Sequence, residues 1–276
     1  MLPVVRRPAI LRSVMQGAIR RFRGAQDGLW RLRAGLCVLC LVSPSLAQLT
    51  VAVAANVQFA MEELKIDFQR RTGVEVNAAY GSSGKWTTQI RHGAPFDVFV
   101  SADMNFPDTL YRSGYASAPP ILYAYGKLVL WAARDLDLSP GLSSLENAAI
   151  EKIALADPRL APYGREAEKA MRRAGVFPRV ESKLVFGENI SQVSQYILSG
   201  HANVGFSAKS VVTAPVTAGK GHWVEVDSAL YDPIAQGAVI LKYGAENRPR
   251  LSQAFCDYLH SESARSILAQ YGYGLP

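Results

Sequence analysis

Cysteine is scarce in this chain, with three residues among 276, and their positions exclude a disulfide framework. Cys37 and Cys40 lie near the N-terminus, and Cys256 is the one cysteine after residue 47. A single cysteine on the apolar side of a predicted helix is expected to be a small buried hydrophobic residue. The four histidines are equally sparse and do not have paired metal-ligand spacing. The sequence therefore predicts neither a disulfide-stapled fold nor a zinc site.

Lysine is absent from the first 47 residues, yet this segment holds eight arginines and one acidic residue, Asp27. It therefore carries all of the formal charge of +7, and the rest of the chain has equal numbers of acidic and basic side chains. Because the positive charge is confined to this segment, it does not indicate nucleic-acid binding, and we expect no nucleic-acid partner.

Long hydrophobic runs are absent as well. The apolar stretch at 34–42 is shorter than the roughly 18 residues that a membrane-spanning helix needs. Arginines before this stretch and Ser45-Leu46-Ala47 after it are typical of a secretory signal peptide. We therefore expect residues 1–47 to be cleaved near Ala47 and the mature protein to be periplasmic. Translation starts at either Met1 or Met15.

Strand and helix patterns alternate after the signal peptide. Short β-branched or apolar runs predict strands at 49–55, 74–80, 97–102, 127–133, 152–156, 184–186, 204–207 and 233–241. Ala60, Leu64 and Phe68 recur at helical spacing between the first two strands. This alternation indicates an α/β fold, and the length fits one large or two small domains.

Four predicted strand-to-helix junctions carry small or hydroxyl-bearing residues, at 55–56, 81–84, 161–164 and 187–191. The first N–H groups of a helix have no partner within it, and the helix dipole favours negative charge there. In an open α/β sheet such junctions lie at the carboxyl ends of strands, where ligands bind. Ordinary N-capping explains each junction alone, but four together indicate an anion-binding site.

Enzyme motifs are lacking. The stretch at 81–85 (GSSGK) departs from a phosphate-binding loop at both ends, and its spacing does not fit a nucleophile elbow. Ser82 or Ser83 as a nucleophile would need a histidine base, and His92 is expected at a helix end. We therefore expect no catalytic residues, and a hydrolase stays the alternative class.

The segments around the four junctions resemble the periplasmic molybdate-binding proteins of the ModA type. They are 80–90 (YGSSGKWTTQI), 92–103 (HGAPFDVFVSAD), 125–131 (YGKLVLW), 156–164 (ADPRLAPYG) and 187–192 (GENISQ). The similarity covers essentially everything from Leu49 to the C-terminus. It implies a monomeric solute-binding protein without a cofactor that captures molybdate or tungstate. It also implies delivery to the membrane permease subunits of an ABC importer, with sulfate or phosphate binding as the alternative.

The resemblance implies which residues hold the anion, so that molybdenum is bound only as molybdate. These residues are Ala55, Asn56, Ser83, Tyr163 and Ile190. Asn56 replaces the serine of many members and matches a subgroup with asparagine. Ala208 stands where other members have a ligand tyrosine, so we expect that contact to be absent. Tyr163 contributes either its backbone N–H or its hydroxyl, and the sequence leaves both open.

The fold that the resemblance implies is the type II periplasmic-binding-protein fold, in which two α/β lobes flank a ligand cleft. We expect crossover segments near 125–129 and 231–235. The first lobe would then comprise residues 48–127 and 233–276, and the second lobe residues 128–232.

Overall fold

Ten strands and ten helices alternate along residues 48–276, the part of the chain that the computed structural model describes. The predicted signal peptide, residues 1–47, lies outside the described residues. The strands are β1 (Gln48–Ala54), β2 (Glu75–Gly81), β3 (Val98–Val100), β4 (Ile121–Gly126), β5 (Leu128–Ala132), β6 (Ile153–Ala156), β7 (Leu184–Gly187), β8 (Val204–Ala208), β9 (His222–Glu225) and β10 (Ile234–Ile240). The helices are α1 (Gln58–Thr72), α2 (Ser83–Arg91), α3 (Asn105–Arg112), α4 (Pro162–Arg173), α5 (Phe177–Val180), α6 (Ile190–Leu198), α7 (Lys209–Val212), α8 (Lys242–Asn247), α9 (Pro249–Tyr258) and α10 (Glu262–Gln270).

The strands form two sheets of five strands each. The first sheet has the order β2-β1-β3-β10-β4, with β1 parallel to β2 and β3 and with β10 antiparallel to its neighbours. The second has the order β7-β6-β8-β5-β9, with β6 parallel to β7 and β8 and with β5 antiparallel to its neighbours. Each sheet therefore has a parallel part whose strands lead into helices, as the alternating sequence pattern predicts.

The chain passes between the sheets twice. It leaves the first sheet at Gly126, the end of β4, and enters the second at Leu128, the start of β5. It returns between β9, which ends at Glu225, and β10, which begins at Ile234. Both passages agree with the crossover segments predicted near 125–129 and 231–235.

Apolar side chains cover both sheets. On the first sheet, Leu64 and Phe68 of α1 pack with Phe255 of α9 in one cluster, and Trp86 and Leu110 belong to a second cluster. The helical spacing predicted for α1 is confirmed, because Ala60, Leu64 and Phe68 are all buried. Burial of such surface is the main stabilising contribution to a fold of this kind.

The core around the second sheet contains the large buried side chains of Trp131, Met171 and Phe206. Cys256 lies on α9 and is buried, as predicted, and burial raises the pKa of its thiol to about 12. Within residues 48–276, the helices are too short or too polar to cross a membrane.

Local signals explain the main differences from the sequence predictions. The strand predicted at 97–102 is shorter, Val98–Val100, and α4 begins at Pro162, inside the junction predicted at 161–164. Proline suits the first helical position because its missing N–H would have had no partner there. The strands β4 and β9 were not predicted from the sequence.

Candidate functional site

All four predicted junctions meet at one small cavity. All five predicted anion-binding residues line it. The lining residues are Ala54, Ala55, Asn56, Gly81, Ser82, Ser83, Ala102, Ala161, Pro162, Tyr163, Asn189 and Ile190. They follow β1, β2 and β3 of the first sheet and β6 and β7 of the second. The cavity therefore lies between the carboxyl ends of parallel strands from both sheets, as predicted for open α/β sheets.

Ser83 presents two donors to this cavity. It is the first residue of α2, so its backbone N–H has no acceptor within the helix. Ser82 caps the helix, since its side chain accepts a hydrogen bond from the N–H of Lys85 at 3.3 Å. The Ser83 Oγ accepts a hydrogen bond from the N–H of Ala102 at 3.0 Å. Because this bond uses the oxygen as an acceptor, the hydroxyl proton is available to a ligand.

Ile190 and Ala55 have no side-chain polar atom, so they can contribute only backbone groups. Ile190 is the first residue of α6, and Asn189 caps that helix by accepting from the N–H of Gln192 at 3.1 Å. The Ile190 side chain belongs to the core of the second sheet and anchors the helix start. Ala55 begins the 3-10 turn Ala55–Val57 that connects β1 to α1.

Tyr163 lies in the first turn of α4, directly after Pro162. Since proline has no N–H, the N–H of Tyr163 is the first donor of this helix. Gly164 is required beside it, because a Cβ at that position would overlap the carbonyl oxygen of Ala156. The helix start is thereby brought directly against the end of β6.

The Tyr163 hydroxyl has a partner within the protein. It accepts a hydrogen bond from Nε2 of Gln236 at 3.2 Å, and the side chain is almost fully buried. Burial raises the pKa of Tyr163 well above its usual value, so the hydroxyl stays protonated. The backbone N–H of Tyr163 has no acceptor within its helix, and which of the two groups contacts a ligand stays a prediction.

The side-chain amide of Asn56 is hydrogen-bonded within the protein. Its Nδ2 donates to Oε1 of Gln236 at 2.9 Å and to the Tyr273 hydroxyl at 3.1 Å. Its carbonyl oxygen accepts from the Ser210 hydroxyl at 2.8 Å. The side-chain Oδ1 is buried without a hydrogen-bond partner among the described residues.

Charged side chains surround the cavity without lining it. Lys85 pairs with Glu188 at 3.0 Å, and Arg165 pairs with Asp103 at 2.8 Å. Each pair joins a residue from the first-sheet side to one from the second-sheet side. Two hydrogen bonds do the same: the Gly84 N–H donates to the Leu160 carbonyl at 2.8 Å, and the Ser191 hydroxyl donates to Oε1 of Gln58 at 3.0 Å. These contacts hold the cavity closed. A negative charge inside it would face the N–H dipoles of the helix starts and not a charged side chain.

The serine-hydrolase alternative needs a histidine base close to Ser83, and His92 is not placed to be that base. His92 caps the C-terminal end of α2, with Nδ1 2.7 Å from the Thr88 carbonyl oxygen, so the helix separates it from Ser83. No group of three or more His, Cys, Asp or Glu side chains that could hold a metal occurs within residues 48–276. His92 therefore has the helix-end role that the sequence predicts.

Sequence reasoning missed the polar side chains beneath the cavity. Gln236 lies in the apolar strand β10, Tyr123 in β4 and Tyr273 near the C-terminus, and all three are buried. A glutamine in the middle of an apolar strand was the one available signal. Ala208, where a ligand tyrosine was expected in relatives, is buried and is not among the cavity-lining residues.

Comparisons with known proteins find relatives that match most of the chain. A family model described as bacterial extracellular solute-binding protein matches residues 49–274. The molybdate-binding protein ModA of Rhodobacter capsulatus is 41% identical over 248 residues, which cover 88% of this chain and 96% of that protein. ModA of Azotobacter vinelandii is 38% identical over 232 residues, covering 83% and 90%. A solved structure of an Azotobacter vinelandii periplasmic molybdate-binding protein matches with a TM-score of 0.76 and 30% identity, covering 83% of this chain and 99% of that one.

Proposed function

Since the chain belongs to the bacterial extracellular solute-binding protein family, and to its ModA members, we propose that it captures molybdate or tungstate and delivers it to an ABC importer. The family and the type II periplasmic-binding-protein fold predicted from the sequence are both confirmed by these relatives. The chain is an extracytoplasmic transport component, not an enzyme, and it needs no resident cofactor.

One observation carries the choice of a small oxyanion. Helix starts and strand ends from both sheets surround a small cavity that no charged side chain lines, within residues 48–276. The cavity is therefore suited to an ion of a few heavy atoms, and its neutral donors are suited to a dianion.

The donors are numerous enough to bind such an ion tightly. We propose that the ligand accepts from backbone N–H groups at Ala55 or Asn56, Ser83, Tyr163 and Ile190, and from the Ser83 hydroxyl. A hydrogen bond to a charged group contributes about 1.5–3 kcal/mol. Five or six would contribute roughly 8–18 kcal/mol before desolvation and closure are subtracted, so that micromolar or tighter binding is reasonable.

Selectivity follows from the same donors. Phosphate at neutral pH carries a proton that needs an acceptor, and a shell made of donors leaves this proton unpaired at a cost of about 1–3 kcal/mol. Sulfate has the charge of molybdate but is smaller, so donors held by two closed lobes cannot all reach it. Molybdate and tungstate are nearly the same size, and we propose that both bind.

We further propose the organisation that the sequence predicts. Residues 48–127 and 233–276 form the first lobe around the first sheet, and residues 128–232 form the second. The mature protein is a periplasmic monomer that begins near Gln48, docks on the permease subunits of the importer and binds no nucleic acid. Intact mass of the exported protein tests the cleavage site, and a mass that retains residues 1–47 contradicts it.

Calorimetry with four anions tests the proposed function. We expect molybdate and tungstate to bind the exported protein with micromolar or tighter affinity, and sulfate and phosphate to bind at least about 100-fold more weakly. Sulfate binding as tight as molybdate binding, or no binding of any of the four, contradicts the proposal.

A further inference from the structure

A cluster of buried polar side chains lies directly beneath the cavity. We call it the tyrosine–amide cluster, and it consists of Asn56, Tyr123, Tyr163, Ser210, Gln236 and Tyr273. Every member is at least nine-tenths buried. Asn56, Tyr123 and Gln236 come from the first-sheet side, and Tyr163 and Ser210 from the second. The cluster therefore joins both sides of the cleft at the floor of the anion site.

Gln236 is the centre of this cluster. Its Oε1 accepts from the Tyr123 hydroxyl at 2.8 Å and from Nδ2 of Asn56 at 2.9 Å. Its Nε2 donates to the Tyr163 hydroxyl at 3.2 Å. Gln236 thus contacts two of the five predicted anion-binding residues, one on each side of the cleft, and it is not among the residues that line the cavity.

Two hydrogen-bonding groups of the cluster are left without partners in this arrangement. Oδ1 of Asn56 is buried and has no donor among the described residues. The Tyr163 hydroxyl accepts from Gln236, and within residues 48–276 it donates to no acceptor. Buried polar groups are rarely left unpaired, so both deficits need an explanation.

Rotating both amides by 180° gives the Tyr163 proton an acceptor and exchanges the unpaired acceptor of Asn56 for an unpaired donor. Gln236 then donates through Nε2 to the Tyr123 oxygen and to Oδ1 of Asn56, while its Oε1 accepts the Tyr163 proton. The Tyr123 proton has a second acceptor in reach, the Ser101 carbonyl oxygen at 3.3 Å. The amide nitrogen of Asn56 now occupies the position that had no donor, and its N–H groups require an acceptor.

We propose that the oxyanion-loaded protein adopts this reversed arrangement, with Gln236 as the positioning residue that turns the amide nitrogen of Asn56 towards the anion. This inference rests on the proposed function. Because Gln236 both donates to Asn56 and accepts from Tyr163, it keeps the acceptor Oδ1 away from the ligand. An anion that carries a proton finds no acceptor at this position, so Gln236 determines specificity without touching the ligand.

The substitution Gln236→Glu removes the amide donor Nε2 and keeps nearly the same side-chain shape, so it tests the role of that donor. A carboxylate can only accept hydrogen bonds, so it draws Nδ2 of Asn56 towards itself and leaves Oδ1 facing the anion. At about pH 8 we expect the Kd for molybdate to rise at least about tenfold. A buried carboxyl has a raised pKa, so at about pH 6 it regains a proton, can donate again, and the affinity recovers.

The surroundings of position 236 support the sign of this pH effect. The ionisable side chains of the cluster are Tyr123, Tyr163 and Tyr273, and burial raises the pKa of each, so none loses its proton over this range. Asp103, whose carbonyl oxygen accepts from the N–H of Gly237, is paired with Arg165. The introduced carboxyl is therefore the group that changes charge.

Gln58→Glu is the matched control. Oε1 of Gln58 accepts from the Ser191 hydroxyl at 3.0 Å across the cleft, a contact that a carboxylate retains. The control adds the same charge at the start of α1, outside the tyrosine–amide cluster. We expect a smaller loss of affinity that does not recover at about pH 6, because a partly exposed carboxyl stays ionised there. Equal, pH-independent losses in both variants would overturn the proposal.

A measurement on the unsubstituted protein completes the test and does not depend on a variant that folds. The side-chain amide protons of Asn56 should shift in the NMR spectrum and exchange more slowly when molybdate saturates the protein. Unchanged Asn56 amide signals at saturation would also overturn the inference. If the unsubstituted protein binds no molybdate, the proposed function itself fails. If it binds molybdate and the Gln236→Glu variant has the same Kd at about pH 8, only the inference is refuted.

Discussion

The hydroxyl oxygen of Ser83 accepts a hydrogen bond from the backbone N–H of Ala102 at 3.0 Å. Ser83 follows β2 and Ala102 follows β3, so the bond joins two strand ends on the same side of the cavity. It fixes the χ1 angle of Ser83 and directs the hydroxyl proton away from Ala102. A serine oriented in this way is a donor prepared for an anion before the anion arrives, and such preorganisation lowers the cost of binding.

Replacement of Ser83 by Ala should weaken molybdate binding about tenfold or more. The variant loses one hydrogen bond to a charged group, which contributes about 1.5–3 kcal/mol, and leaves the Ala102 N–H without its acceptor. Titration calorimetry measures the affinity. An unchanged Kd would remove the Ser83 hydroxyl from the site.

Ser261→Ala is the matched control for this loss. Ser261 caps α10 by accepting from the N–H of Ala264 at 3.2 Å, and it does not line the cavity. Loss of such a cap costs about 0.5–2 kcal/mol of stability. We expect a lower melting temperature with the same molybdate affinity, which separates stability from binding.

The two ion pairs that cross the cleft should differ in strength. Asp103 is 8% exposed and its partner Arg165 is 31% exposed, whereas Lys85 and Glu188 are 44% and 37% exposed. Arg165→Gln leaves a buried carboxylate without its cation, and we expect a loss of about 1–3 kcal/mol in the free energy of unfolding. Lys85→Gln should cost less than about 1 kcal/mol.

Urea denaturation of both variants measures this difference, and stopped-flow release of molybdate measures its effect on closure. We expect faster release in both variants, with the larger effect for Arg165→Gln. High salt should remove the effect of Lys85→Gln, because exposed pairs are screened. Equal destabilisation by the two substitutions would contradict the role of burial.

The part of the site that the sequence could predict is local. Ser83 and Ile190 are first residues of helices, and the residues before them are caps, so a few neighbouring positions indicate where the free N–H groups lie. These positions do line one cavity, although their contact with an anion stays a prediction. Tyr163 lies in the junction predicted at 161–164, but its role as a ligand was implied by the resemblance, and the direction of its hydroxyl was not predicted.

The parts that could not be predicted depend on distant pairs. Gln236 bonds to Asn56 across 180 residues, and Lys85 pairs with Glu188 across 103 residues. A single sequence does not indicate such partners, because they result from the packing of two sheets. The strand β9 was missed for another reason: it lies at an edge and its residues are largely exposed, so it lacks the apolar pattern of a buried strand.

Asp67 should determine the stability of the protein in acid. A hydrogen bond from Ser263 is the main reason that the pKa of this carboxyl lies well below its usual value, and bonds from Arg71, Arg70 and Tyr258 act in the same direction. The folded pKa is lower than the unfolded value of about 3.9, so the stabilisation is complete above that value. It is lost as the pH falls towards the folded pKa.

Asp67→Asn should therefore lower the free energy of unfolding near neutral pH by about 1–3 kcal/mol and flatten its decrease below about pH 4. Melting temperatures from pH 2 to pH 7 measure both effects. Asp108→Asn is the control, since Asp108 forms an exposed pair with Arg112 on α3. A profile for Asp67→Asn that is as steep in acid as that of the control would contradict this assignment.

Gly126 and Tyr163 should show strong coupling when both are substituted. A Cβ at Gly126 would overlap the Tyr163 hydroxyl and lie 2.6 Å from Nε2 of Gln236. Gly126→Ala alone should therefore lower the free energy of unfolding by about 2 kcal/mol or more, because the first crossover must move. Tyr163→Phe alone should cost about 1 kcal/mol through the lost bond to Gln236.

In the double variant the hydroxyl that obstructs the new methyl group is gone, so the loss should be smaller than the sum by about 0.5–3 kcal/mol. Recovery stays incomplete, since the Tyr163 ring carbon Cζ would still lie 2.9 Å from that Cβ. Urea denaturation of the four proteins gives the coupling free energy. Strictly additive losses would show that the hydroxyl does not occupy this position. A positive coupling places the α4 start, and with it the Tyr163 N–H, in direct contact with the first crossover at Gly126.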